Sequence, residues 1–247
     1  YGFSNTNLGP TYKRYERMGH ICFMTTMVKV LNWESVLATY VNSKLVVRAT
    51  ATAIRKISRA RRPGGISTIE TLDRFDERID ALWEQVSANF KNVVRRDQKY
   101  LNWRYTAHPE RNYTIYTVLE KQEILGYCVL TQESWHNLTL GLVVDILGFQ
   151  DHRNVTGCLI DRAVEHFEQQ DVDGIACMMS EQHPYRPDFR KAGFITHPSR
   201  NSALYAAINL PGSPIDEGKV YPEALLLSQN YLLKEKSNWF MTRGDGD

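Results

Sequence analysis

Asp145 is the residue whose setting most needs a chemical reason. It sits inside Leu138–Phe149, an otherwise apolar run, where a carboxylate requires a partner or a shifted pKa. It reads as a carboxylate paired with an Arg or Tyr, or as a surface position in the strand's alternation. Trp103, Arg104 and Tyr105 are consecutive. An Arg flanked by two aromatics suits recognition of a sugar or phosphate, and it equally suits packing at a domain boundary. Tyr185 follows Pro184 and precedes Pro187, so its phenol is either a proton donor or a loop-packing ring. Asp245 and Asp247 could share a cation or belong to a mobile terminus. The histidines show no metal-ligand spacing. Cys22, Cys128, Cys158 and Cys177 are scattered, which reads as free buried thiols in a reducing compartment rather than a metal site or disulfide framework.

One short pattern occurs twice. Tyr15-Glu16-Arg17-Met18-Gly19-His20-Ile21 and Phe189-Arg190-Lys191-Ala192-Gly193-Phe194-Ile195 each place an aromatic four residues before a Gly, which an aromatic and an Ile follow. Each reads as a short helix, 11–18 and 187–192, stopped by a left-handed Gly so that the chain can turn into a strand. Their separation is that of one domain. It predicts two related domains in tandem, the first cut off at its start.

The elements that position these residues follow from hydrophobic spacing. Residues 21–31 are apolar and β-branched, as a strand is. From 33 to about 60, Val36, Leu37, Tyr40, Val41, Leu45, Val46, Ile54 and Ile57 recur at helical intervals. Arg55, Lys56, Arg59, Arg61 and Arg62 then run into Pro63-Gly64-Gly65, a helix end and linker whose charge is a solvated face or a nucleic-acid arm. Ile79, Leu82, Trp83, Val86 and Phe90 form one helical stripe, and 97–106 forms a second short helix. Stretches 113–119, 124–130 and 138–147 predict an antiparallel meander. A helix over 154–170, a strand over 175–179, the helix 187–192 and a strand pair around 194–208 complete a mixed α/β sheet with one parallel crossover. The last stretch, 211–247, lacks periodicity and reads as a tail over the surface.

Composition narrows the classes. Hydrophobic residues at 43% and charged residues at 23% of 247 exclude a disordered chain. A net charge of +2 gives no global attraction to nucleic acid or anionic membrane. No apolar run approaches the ~18 residues of a membrane span. With no signal-peptide pattern, the sequence reads as a cytoplasmic piece of a longer protein.

The order of elements and the helix-to-Gly-to-strand ending resemble the GNAT superfamily of acyl-CoA N-acyltransferases. Tyr1-Gly2-Phe3-Ser4-Asn5, Asp97–Tyr105 with His108-Pro109, and Trp239–Asp247 are similar to bacterial tandem GNAT-like proteins. On this resemblance, 1–32 ends a first GNAT-like domain, 33–65 is a helical connector and linker, 66–210 is a complete second domain and 211–247 is the tail. It implies transfer of an acetyl or longer acyl group from coenzyme A to a primary amine of a small molecule or sugar. The two domains would touch within one molecule, with neither nucleic acid nor membrane as partner.

The resemblance also assigns residues. The family holds the pyrophosphate of acetyl-CoA on backbone N–H groups at a helix start, in a loop reading Arg/Gln-x-x-Gly-x-Gly/Ala. Here the corresponding stretch, Gly148–Cys158, is poor in glycine. Counted from Gln150 it puts Arg153 and Val155 at the glycine places; counted from Arg153 it puts Thr156 and Cys158 there. Gly148, Arg153, Asn154, Thr156 and Gly157 are the implied cofactor-binding set. The other reading is a structural loop in which Asp151 or Asn154 caps the helix. A Tyr four residues before the helix-ending Gly often serves as acid toward the thiolate. That place is Phe189 in the second copy, which has no proton to give, and Tyr15 in the first, which is thus the implied acid or else a packed side chain. Asp145 is implied as base or amine-orienting group, with Trp103, Arg104 and Tyr185 on the substrate side. Two rivals remain: a non-catalytic regulatory or docking domain, and a Fem-type aminoacyltransferase, whose coiled-coil arm 33–60 would lack sustained heptads.

Overall fold

The computed structural model of the chain describes residues 2–4, 18–39, 68–150, 154–197, 202–207 and 239–243. Tyr15, Asp151, Arg153, Asp245, Asp247, most of the 33–60 helix and residues 208–238 lie outside the described residues. Strand β1 (Gly2–Ser4) and the long β2 (Met18–Val30) come first. The strand expected over 21–31 begins earlier than its apolar run: Met18 and Gly19 pair with Ala207 and Ala206. Gly19 is therefore a strand residue rather than a helix stop, because pairing across the sheet overrides the local signal. Helix α1 (Trp33–Ala38) opens on Asn32, whose side chain accepts the Ser35 N–H at 3.2 Å, a side-chain N-cap.

Strand β3 (Thr68–Leu72), helix α2 (Arg78–Ser87) and strand β4 (Asn92–Val93) follow. The expected stripe holds: Ile79, Leu82 and Val86 are fully buried. Helix α3 (Gln98–Leu101) is capped by Asp97, which accepts the Tyr100 N–H at 2.8 Å. It continues as one π-helical turn, Asn102–Thr106, closed by Ala107 N–H to the Asn102 carbonyl at 2.8 Å. That extra residue per turn carries Arg104 and Tyr105 inward and leaves Trp103 66% exposed.

Strands β5 (Thr114–Glu120), β6 (Glu123–Trp135) and β7 (Leu138–Gly148) form the expected antiparallel meander. Helix α4 (Val155–Glu168) crosses over to β8 (Gly174–Ser180), which runs parallel to β7. Val155, Leu159, Ile160, Ala163 and Phe167 are buried on the α4 face toward the sheet. Glycines let the helix start approach closely. A Cβ on Gly126 would lie 2.7 Å from Val155 Cγ1, and one on Gly148 would lie 3.0 Å from it. Helix α5 (Arg186–Lys191) ends as the repeat predicts, with Gly193 at φ 88°. Gly193 N–H donates to Arg190 and Phe194 N–H to Phe189, both at 3.0 Å, while the Phe189 and Phe194 rings pack edge to face.

The strand pair expected around 194–208 takes another form. Strands β9 (Ile195–Thr196) and β10 (Ser202–Ala207) do not pair with each other; both line the same edge of β2. The long β2 offers more edge than either short strand could offer the other. Its opposite edge pairs antiparallel with β8 from Met24 to Val30. The nine-stranded sheet runs β1-β10-β2-β8-β7-β6-β5-β3, with β9 beside β10. Strand β11 (Trp239–Phe240) pairs parallel with β4 in a second, two-stranded sheet. The reading of 211–247 as a surface tail fails here: Phe240, Met241 and Thr242 are 0% exposed. Five residues that fill one gap need no periodicity of their own.

Candidate functional site

Strands β7 and β8 pair over three positions only, Leu140–Leu142 with Gly174–Ala176. Beyond them β7 runs on to Gly148 and β8 to Ser180 without pairing, so the two strands part. A β-bulge marks the start of this stretch: Val129 faces Asp145 and Leu130 faces Val143, leaving Val144 extra on β7. Bulges bend a strand and re-aim its side chains, and this one brings Asp145 into the sheet interior.

Asp145 is 1% exposed and its oxygens are taken. Arg96 Nε donates to Oδ2 at 3.1 Å and Oδ1 at 3.3 Å, and Tyr105 and Tyr127 hydroxyls donate to Oδ2 at 3.2 and 3.0 Å. Thr242 Oγ1 and the Ile146 N–H each donate to Oδ1 at 3.0 Å. Arg96, itself fully buried, also donates to the Val94 carbonyl at 2.9 Å and to Thr242 Oγ1 at 3.3 Å. A buried ion pair is tolerable only when its remaining lone pairs and protons are satisfied. This arrangement is that of a paired carboxylate, not of an open base.

The far wall comes from the segment between β8 and α5. Tyr185 is 1% exposed, and its hydroxyl donates to the Gly148 carbonyl at 2.6 Å while accepting the Gly148 N–H at 3.1 Å. Burial pushes that phenol's pKa up. It therefore buttons the end of β7 rather than facing a substrate. His183 accepts the Tyr185 N–H on Nδ1 at 3.3 Å, which puts the ring proton on Nε2, and Nε2 has no hydrogen-bond partner among the described residues. Burial first, then the charges of Arg96 and Arg186, push its pKa down to about 3, so the ring is neutral.

Residues 239–243 lie between the parted strands. Thr242 bridges antiparallel to Met179 of β8, and Ser180 N–H donates to the Met241 carbonyl at 3.3 Å. Met179 already pairs with Thr25 on its other side, so the segment occupies the edge of β8 that faces β7. Phe240 stacks against His183 and Phe90, each at 4.4 Å between centroids, with the Arg96 guanidinium 5.2 Å from its ring.

At the mouth of the opening stands the α4 start. Asn154 adopts a left-handed conformation, φ 55°, and its side chain caps no N–H, which corrects the capping role expected for it. Instead it covers Gly157, where an added Cβ would clash with the Asn154 side-chain amide. Cys158 N–H donates to the Asn154 carbonyl at 2.9 Å. The N–H groups of Val155, Thr156 and Gly157 belong to the first turn of α4, the end of a helix that attracts anions. The Thr156 side chain is buried.

Of the residues singled out in the sequence, Asp145, Gly148 and Tyr185 come together, with Asn154, Thr156 and Gly157 nearby. Trp103 stands apart on the outer face beside Tyr100. Arg104 is buried, its guanidinium 5.8 Å from the Tyr105 ring. Phe189 is fully buried. Sequence reasoning missed Arg96, Tyr127, His183, Phe240 and Thr242. The only signal was the need of Asp145 for a partner, which does not say which one. Among the described residues no group of three or more His, Cys, Asp or Glu could hold a metal, and no helix is long and apolar enough to cross a membrane.

No family model and no curated protein matches the chain. Solved structures do. A GCN5-related N-acetyltransferase from Anabaena variabilis matches over 84% of this chain and 45% of its own, at 9% identity and a TM-score of 0.54. A conserved protein from Enterococcus faecalis, described as a probable N-acyltransferase, matches over 81% and 43%, at 10% identity and a TM-score of 0.51. The chain spans under half the length of either. At these identities the likeness is one of fold: the chain has the mixed α/β fold of the GNAT acetyltransferases.

Proposed function

We propose that the chain is part of an N-acyltransferase that moves an acetyl or longer acyl group from coenzyme A to a primary amine. The observation that carries this reading is the parting of β7 and β8 beyond Leu142 and Ala176, with the α4 start at its mouth. Two diverging parallel strands leave backbone edges for an amide-bearing arm, and the N–H groups of a helix start suit a pyrophosphate. Acetyl-CoA would supply the activated thioester. Val155, Thr156 and Gly157 would hold its phosphates, with Arg153 able to pair with one of them.

Tyr15 is the proposed acid toward the departing thiolate, and Phe189, at the same place in the second copy of the pattern, has no proton to give. On this reading 66–210 is the complete second copy, and β1 and β2, from the end of the first, complete its sheet. Asp145 holds β7 to Arg96 and to 239–243 rather than accepting the amine's proton. A small-molecule or sugar amine is the proposed acceptor.

A second reading, a regulatory or docking copy without chemistry of its own, is favoured by Phe189 and by the segment between β7 and β8. The test for the first is thiol release from acetyl-CoA by the protein over a panel of primary amines, amino sugars included. Tyr15→Phe is expected to lower turnover by about 10²-fold or more at unchanged acetyl-CoA affinity. Unchanged turnover contradicts the acid assignment.

A further inference from the structure

The segment 239–243 satisfies the same edges that an acyl-CoA arm would use. Its backbone bridges Met179 and accepts from Ser180 on β8, its Thr242 hydroxyl reaches Asp145 on β7, and Phe240 fills the space among His183, Tyr185 and Phe90. Phe240, Met241 and Thr242 are wholly buried. A close-packed interior holds one occupant in one volume, and peptides and amide-bearing arms add to strand edges by the same hydrogen bonds.

We propose that Trp239–Arg243 is a built-in occupant of the opening between β7 and β8, and that it competes with acyl-CoA for that site. The inference rests on the reading of the opening as an acyl-CoA cleft and adds how access to it is controlled. Three observations make the occupant displaceable. Among the described residues its strand contacts are short: a bridge to β8, with the Ser180 N–H to the Met241 carbonyl, and a two-residue pairing with β4. Its outer anchor, Arg243 to Glu133 at 2.7 and 3.2 Å, is partly exposed, so water competes for both charges. It also leaves the Nε2–H of His183, a buried donor 2% exposed, without an acceptor among the described residues, where buried donors are usually paired. When the segment leaves, Asp145 keeps Arg96, Tyr105, Tyr127 and the Ile146 N–H, so the buried carboxylate stays paired.

The test compares acetyl-CoA affinity, by calorimetry, of the chain with that of a variant lacking 239–247; Phe240→Ala replaces the deletion if circular dichroism shows it unfolded. An apparent affinity about tenfold or more tighter in the variant supports competition, since an occupied site lowers the competent fraction. Equal affinities overturn it. A second arm pairs Met179→Cys with Thr242→Cys, which face each other across the bridge. Oxidation is expected to abolish binding and reduction to restore it; undiminished binding by the oxidised form overturns the proposal. If no form binds while the protein still releases thiol from acetyl-CoA, the competition is wrong and the acyl-transfer reading stands. If no form binds and no amine is acylated, the acyl-CoA reading fails, and the proposal with it.

Discussion

A lone carboxylate in an apolar strand announced at the residue scale that a partner must exist. The partner is Arg96, joined by two tyrosine hydroxyls and a threonine, all distant in sequence. Removing one member of such a pair leaves a buried charge uncompensated. Arg96→Met is therefore expected to destabilise the fold by about 3–5 kcal/mol, and adding Asp145→Asn to recover a large part. Urea unfolding followed by circular dichroism measures both. A near-neutral Arg96→Met would contradict the pairing as a source of stability. Asp145 was legible as a residue in need; Arg96 was not, because in sequence it is one more cation in Arg95-Arg96-Asp97. Tyr185 was legible as a phenol with a task, but its task is the backbone of Gly148.

Elements built from local spacing were the readable ones. The α2 and α4 stripes, the β5–β6–β7 meander and the Gly193 stop all follow from periods of 3.6 and 2 and from one glycine. Strands β3, β4 and β11 were not, because two to five residues carry too few alternations to stand out. The seat of α4 on the sheet depends on Gly126, where an added Cβ would meet Val155 Cγ1 at 2.7 Å and the Leu147 carbonyl at 2.9 Å. The backbone oxygen cannot move aside. Gly126→Ala is expected to cost about 1–3 kcal/mol, and Val155→Ala in the same chain to relieve only the side-chain share. Thermal unfolding of the single and double variants distinguishes the two contributions. Full rescue by Val155→Ala would mean that the backbone contact carries no cost.

Over the whole molecule, long-range pairings decide the architecture. Strand β2 lies beside β8, and 239–243 beside both β7 and β8, so segments from both ends of the chain meet at the centre of the sheet. Nothing in the hydrophobic pattern of β2 distinguishes β8 from any other apolar partner, which is why its neighbours could not be read from sequence. The order of elements could be, and it led to the fold seen in the solved structures. The central claim is that the opening between β7 and β8, with the α4 start at its mouth, takes acyl-CoA. Amide hydrogen exchange of the chain at saturating acetyl-CoA tests it most directly, because it reports where the ligand sits. The account predicts slowed exchange at Val155, Thr156 and Gly157 and along the Val144–Gly148 stretch of β7. Exchange unchanged in both places, or protected only elsewhere, would contradict it.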